Sequence, residues 1–386
     1  MGLSNMLRNM VGRMSGGQFD PDRRAVGKLA VAGTLGSALL SGQCAKVEIS
    51  TDGASRASEA DIKFAVQLGQ KPTAEHLTFV AQMGVEYVTV HASGERGTAE
   101  NFIKLREWVE SAGLKVWNIG NSSVHNMEEV TLNLPGRDRK INEYIQFLRN
   151  LAAAGMTYTT YAHMGNGIWS SEREPERGGA SARAYNQTKN PVGRWGGKTF
   201  SGELTHGRKY TEDEIWTNFE YFARKVIPVA EELGIRIGVH PDDPPVPELG
   251  GVPRCIFGSF DGYKRAMEIA DSPNFGLCLC CGCWLEGGKY VGKDVLETIQ
   301  YFGERKEIFK IHFRNVHAPF PHFRETFLDN GYFDMYKIMK ALVDVGYDGV
   351  IINDHVPQTV GGRFVGDAYS IGYMRALLER ALAETA

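Results

Sequence analysis

The chain has 386 residues, 42% of them hydrophobic and 23% charged, and a formal net charge of -3. That is enough apolar material for one large core, and an α/β barrel commonly reaches this length as one domain. The charge provides no basic face for nucleic acid or for an anionic membrane surface, so the expected partner is a small molecule.

Residues 1–45 have the character of a targeting segment. Asp22-Arg23-Arg24 precedes an apolar, small-residue stretch over residues 25–40, too short and too rich in glycine to span a bilayer. The paired arginines resemble a twin-arginine export signal, which implies a periplasmic protein, with a cytoplasmic one as the alternative. No stable membrane insertion is expected, and residues 46–386 are assigned to a single catalytic domain.

From residue 60 onward one phrase recurs: an amphipathic helix, a glycine, then a short apolar strand, which is the sequence form of a β/α repeat. Gly84 precedes a strand over Tyr87–His91, Gly113 one over residues 115–118, Gly155 one over 157–161, Gly234 one over 236–240 and Gly346 one over 349–353. Each glycine suits the left-handed position just past a helix. Residues 63–68 supply a first strand, and Phe275–Cys280 and residues 308–313 fill the remaining places without that glycine. Eight such units predict a single-domain (β/α)8 TIM barrel, an α/β fold. Core-facing spacing supports its helices at Phe102, Leu105 and Val109, and at Met335, Ile338, Met339 and Leu342, the second group with Asp334 as N-cap. A long polar insertion without usable periodicity, residues 166–211, follows the fourth strand. Its place on the catalytic face predicts a lid or the contact surface of a homo-oligomer.

Four of the six cysteines crowd into residues 278–283, which is not the spacing of a secreted disulfide framework. Strand alternation puts Cys278 and Cys280 on one face and Cys281 and Cys283 on the other, so one metal ligand among buried thiols is expected in place of a four-cysteine site. The sequence places that ligand at Cys280. Strand five ends at His240, strand six at Cys280 and strand seven near His312, and Asp354 follows strand eight. Residues at the carboxyl ends of adjacent barrel strands converge on one mouth. Each alone has a plainer explanation as a core or supporting residue. Four on consecutive strand ends point to the nitrogen, sulfur and oxygen ligands of a first-row divalent ion. Prolines after His240 stiffen its loop. There Asp243 is expected to be a solvated acid, and Asp242 either that or a residue that orients a ligand.

The longer segments around these residues carry a resemblance. His240-Pro241-Asp242-Asp243-Pro244-Pro245, Gly276-Leu277-Cys278-Leu279-Cys280, Ile311-His312-Phe313-Arg314-Asn315-Val316 and Asp354-His355, with residues 134–138 and 161–169, together resemble the mannonate dehydratase family of xylose-isomerase-like barrels. The resemblance implies dehydration of D-mannonate to 2-keto-3-deoxy-D-gluconate with Mn2+ or Fe2+ held by His240, Cys280, His312 and Asp354. It further implies acid-base roles for His355 and for a tyrosine shortly after it, placed at Tyr369 with Tyr373 as the alternative. One departure is local: Met164 and Trp169 enclose Gly165-Asn166-Gly167-Ile168, where the family carries an apolar pair and an aspartate, so the pocket has changed.

The chemistry is consistent with that implication. Loss of water from a polyhydroxy acid requires removal of a weakly acidic proton beside a carboxylate, for which a divalent ion supplies charge stabilisation. A proton must then meet the departing hydroxide, and histidine and tyrosine are suitable donors. Arg314 and Asn315 are candidates for the substrate carboxylate, with a structural ion pair the plainer role for Arg314. His163, Asn166 and Trp169 are candidates for substrate hydroxyls, Trp169 with packing as its alternative. The partner is then a sugar acid, D-mannonate or a close analogue. An isomerase or epimerase of sugars on the same metal barrel is the second reading, and a non-catalytic periplasmic sugar-binding protein the third.

Overall fold

The computed structural model describes residues 60–385. The expected export segment and Cys44 lie outside them. Eight parallel strands form one sheet: β1 (Lys63–Gln67), β2 (Tyr87–His91), β3 (Lys115–Gly120), β4 (Tyr158–Tyr161), β5 (Arg236–Val239), β6 (Phe275–Cys280), β7 (Ile308–His312) and β8 (Val350–Ile352). β1 pairs with both β2 and β8, and the ladder runs on through β7, β6 and β5 to β4. Beyond the ends of β3 and β4 a parallel bridge from Asn126 to Ala162 draws the last two strands together, so the sheet curls into a nearly closed barrel. The predicted strands are all present, each within about two residues of its expected ends.

The main outer helices are α1 (Ala74–Gln82), α2 (Ala99–Glu110), α3 (Arg137–Ala153), α4 (Glu212–Glu232), α5 (Phe260–Ala270), α6 (Val295–Glu304), α7 (Met335–Asp344) and α8 (Arg363–Thr385). Polar caps start most of them. The Asp334 side chain accepts from the Tyr336 N–H at 3.0 Å, and α7 then buries Met335, Ile338, Met339 and Leu342, as their spacing requires. The five glycines that precede strands all have positive φ, which makes them the left-handed stops the repeat predicted. Between barrel and helices the core is aromatic: Tyr161 of β4 stacks on Phe222 of α4 at 4.6 Å. Truncating the fully buried Phe222 to alanine would cost about 3–5 kcal/mol.

The insertion after β4 is not featureless. Ile168–Ser170, Val192–Trp195 and Lys198–Phe200 make a small antiparallel sheet, and Ala184–Asn186 pairs with His322–Arg324 from the loop after β7. The insertion is therefore fastened across the mouth. No helix among the described residues is long and apolar enough to cross a membrane.

Candidate metal centre and active site

The parallel register fixes the height of the candidate ligands. Cys280 stands opposite His312, and His312 opposite Ile352, two residues before Asp354. His240 follows β5 directly, and its backbone N–H donates to Tyr161 O at 2.8 Å, carrying the ladder one residue further. One ligand atom from each of His240, Cys280, His312 and Asp354 lies within 4.8 Å of those of the other three. Asp354 turns inward by adopting φ of +56°, a strained conformation that aspartate tolerates better than most residues and that recurs at functional sites.

The atoms around this set prepare it for a cation. His240 Nδ1 donates to Pro241 O at 2.7 Å, which leaves Nε2 as the free acceptor. The buried Nδ1 of His312 has no hydrogen-bond partner and lies 3.5 Å from Asp354 Oδ1, while its Nε2 contacts the Cys278 Sγ at 3.4 Å. Burial alone would raise the Cys280 thiol, but its contact with Cys283 and the Arg314 guanidinium, 3.3 Å from Sγ, hold it well below the usual thiol range. Burial is likewise outweighed at Asp354, whose carboxyl His355, His312 and Arg314 hold far down. A thiolate, a carboxylate and two imidazoles with lone pairs turned to one point fit a divalent ion.

Behind the ligands lies a buried ion network. Arg314, fully buried, pairs with Glu286, with Glu325 at 3.0 Å and with Asp354 at 3.4 Å. Arg183, from the insertion, pairs with Asp243, with Glu325 at 3.1 Å and with Glu286 at 3.3 Å. A second group of potential ligands, Asp243, Cys283 and Glu286, is thus already served by two guanidinium groups. Gly282 makes room for this arrangement, since a Cβ there would come within 2.6 Å of the Arg314 guanidinium. Asp243 is consequently buried and paired, not a solvated loop acid, and Asp242 is buried beside Arg254 at 3.6 Å.

His355 follows Asp354. Its Nδ1 lies 2.8 Å from Glu325 Oε1 and its Nε2 3.9 Å from Asp354 Oδ1. Its surroundings oppose a charge, but Asp354 and Glu325 outweigh them and raise the imidazole to about 9. With Nδ1 committed to Glu325, Nε2 is the nitrogen left to exchange a proton. The ring borders a cavity of about 190 Å³ together with His240, His312 and Asp354. The opposite wall carries Gln67, His91, Asn118 and His125, and Lys310 lies among them. Trp195 and Ile168 of the insertion close over the space, Trp195 stacked on His125 at 5.3 Å.

Other residues singled out in the sequence are not brought to this cavity. Arg314 spends its donors on the ion network, and Asn315 is buried with its amide donating to Leu328 O and Phe333 O. His163 is buried beside Phe219, Phe222 and Phe257, its Nδ1 against the Tyr161 hydroxyl. Asn166 donates to Leu249 O at 2.7 Å and accepts from the Trp169 indole at 3.2 Å, so both support the insertion. Tyr369 sits on the exposed flank of α8 against Phe327, with its hydroxyl 3.5 Å from Arg177, and Tyr373 does not line the cavity either. The residues that sequence reasoning passed over are Glu325, Arg183, Lys310 and the histidines of the opposite wall. His91 at the end of β2 is open to the same positional argument as the ligands, and Lys310, two residues before His312, follows from strand alternation.

The sequence pattern of the D-mannonate dehydratase (UxuA) family matches residues 63–193 and 197–383. The chain belongs to the D-mannonate dehydratase family. A mannonate dehydratase of Streptococcus pneumoniae (strain 70585) is 31% identical over 312 residues, covering 76% of this chain and 81% of that one. The crystal structure of a mannonate dehydratase from Streptococcus suis serotype 2 superposes with a TM-score of 0.73 at 25% identity, over 84% of this chain and 95% of the other. A xylose isomerase domain protein from Planctomyces limnophilus shares the fold alone, with a TM-score of 0.54 at 13% identity and coverage of 84% and 98%. As a mannonate dehydratase family member the chain is a hydro-lyase acting on a sugar acid, and the epimerase reading is the weaker one.

Proposed function

We propose that this protein dehydrates D-mannonate, or a hexonate differing from it in configuration, to a 2-keto-3-deoxy acid and water, with Mn2+ or Fe2+ held by His240, Cys280, His312 and Asp354. The observation that carries the proposal is the placement of His355 beside the ligand set with one ring nitrogen engaged by Glu325 and the other open to the cavity. A bound divalent ion would supply positive charge beside the reacting carbons, where electron density gathers as a proton leaves and a hydroxyl departs.

The chain's own residues do the rest. Neutral His355 can take a proton at Nε2, and the protonated ring can give one to a departing hydroxyl; Glu325 stabilises the charged form in either case. Ile168 and Trp195 limit water above the cavity. Export through the twin-arginine pattern and assembly as a homo-oligomer belong to the same proposal, the first resting on Arg23 and Arg24 and the second on the long insertion after β4. Incubating metal-reconstituted protein with a panel of aldonic acids tests the reading. Release of a 2-keto-3-deoxy acid from D-mannonate or a near relative supports it, and recovery of an isomer without loss of water contradicts it.

A further inference from the structure

Lys310 lies on β7 two residues before His312, so both side chains point into the barrel, with Lys310 roughly 6.5 Å deeper along the strand. It is 5% exposed and is the one lysine or arginine lining the cavity. Its Nζ reaches across the barrel to β3, where Asn118 Oδ1 accepts from it at 3.5 Å, a long contact and its sole hydrogen bond among the described residues. No described carboxylate comes within 4.0 Å of it. Asp354, the nearest acid along the wall, has its oxygens turned to His312 and Arg314. Burial lowers the Lys310 ammonium, opposed by the Cys278 thiol that stands opposite it on β6 and by Asp354, and one long contact leaves most of its three donors unmet. Asn118 also lines the cavity, and its amide nitrogen has no hydrogen-bond partner among the described residues.

A buried cation and a free amide donor, side by side on a cavity floor and within one short ligand's length of a metal-ligand set, form an anion site. We propose that Lys310 and Asn118 hold the carboxylate of the acid substrate and so select an aldonate over the neutral polyol of the same skeleton. The inference deepens the dehydratase reading and rests on it for the choice of an acid. Gln67, Thr89 and His91 border the same floor and offer only neutral contacts at neutral pH, so the charge discrimination falls to Lys310.

The test compares Mn2+-loaded wild type with Lys310→Met, Lys310→Gln and Asn118→Leu, measuring metal content, calorimetric binding of D-mannonate and of D-mannitol, and steady-state kinetics. Wild type binds the acid more tightly than the polyol. Each variant keeps its metal, binds D-mannitol as before and loses roughly 10- to 100-fold in affinity and KM for the acid, the size expected for a lost hydrogen bond to a charged group. Wild type that binds acid and polyol equally, or Lys310 variants that hold metal and keep the wild-type KM, overturns the inference. If wild type leaves D-mannonate unreacted but binds D-gluconate or D-galactonate in a Lys310-dependent way, the anion site stands and the substrate assignment fails.

Discussion

His355 Nδ1 stands 2.8 Å from Glu325 Oε1, a contact made between the residue after the last metal-ligand candidate and a buried acid from the loop that follows β7. Glu325 is itself held down to about 2: burial opposes its charge, but His355, Arg314 and Arg183 outweigh it. The carboxylate is therefore ionised throughout the neutral range and acts on the imidazole as a fixed negative charge.

Replacing that charge has a signed consequence. Glu325 raises the His355 imidazole, so Glu325→Gln lowers it, by about one pH unit for loss of a nearby opposite charge. If His355 works as an acid, the alkaline limb of the kcat/KM profile moves to lower pH; if it works as a base, the acidic limb does. Either movement supports the contact as functional, and the limb that moves assigns the role. A profile with both limbs unmoved shows that the pair plays no part in proton transfer.

Cys280→Ser loses most of the bound metal, whereas Cys281→Ser keeps it, because Cys280 alone among the clustered cysteines belongs to the four-residue ligand set. Cys283→Ser also keeps metal. Cys283 does lie 3.2 Å from Arg314, and a serine hydroxyl there can accept the same hydrogen bond. Metal analysis after dialysis of the three proteins is the check, and equal loss in all of them would indicate a cysteine cluster.

Tyr369→Phe changes turnover by no more than about threefold, since its hydroxyl touches Arg177 outside the cavity, and removing a surface hydrogen bond has little reach. Steady-state kinetics decide it. A loss near 10²-fold, the size of an acid-base contribution, would mean that the start of α8 moves over the cavity during turnover and brings the tyrosine to the substrate.

A chain beginning at residue 46 folds and turns over substrate like the full-length protein, because β1 begins at Lys63 and the family match spans residues 63–383 apart from a short break. Thermal melting and turnover of the two forms should agree. Aggregation or inactivity of the shorter one would show that the leading segment is part of the working fold.

The barrel and the gathering of His240, Cys280, His312 and Asp354 at its mouth were legible because their signals are local. A glycine closing each helix, a short apolar run after it and a ligand at the end of the run all lie within a few residues. The insertion hid its structure for the opposite reason: strands such as Ala184–Asn186 have three residues, too few to show a period of two, and pair with a segment more than a hundred residues away. Glu325 and Arg183 were invisible on the same ground, since a charged loop residue looks solvated until its partner is known. Arg314 and Asn315 follow His312 and so are candidates for the substrate carboxylate, but the chain has left the strand by then: Arg314 takes its alternative role in a structural ion pair, and Asn315 turns to backbone carbonyls.

Dehydration here depends on His355 moving a proton without holding the ion, so the decisive measurement sets the turnover of His355→Asn against its metal content, with Asp354→Asn alongside. We expect His355→Asn to keep near-normal metal and substrate binding while turnover falls by roughly 10²-fold or more, and Asp354→Asn to lose metal and activity together. An emptied site in His355→Asn would make the histidine a ligand, and unchanged turnover on a confirmed substrate would contradict the account.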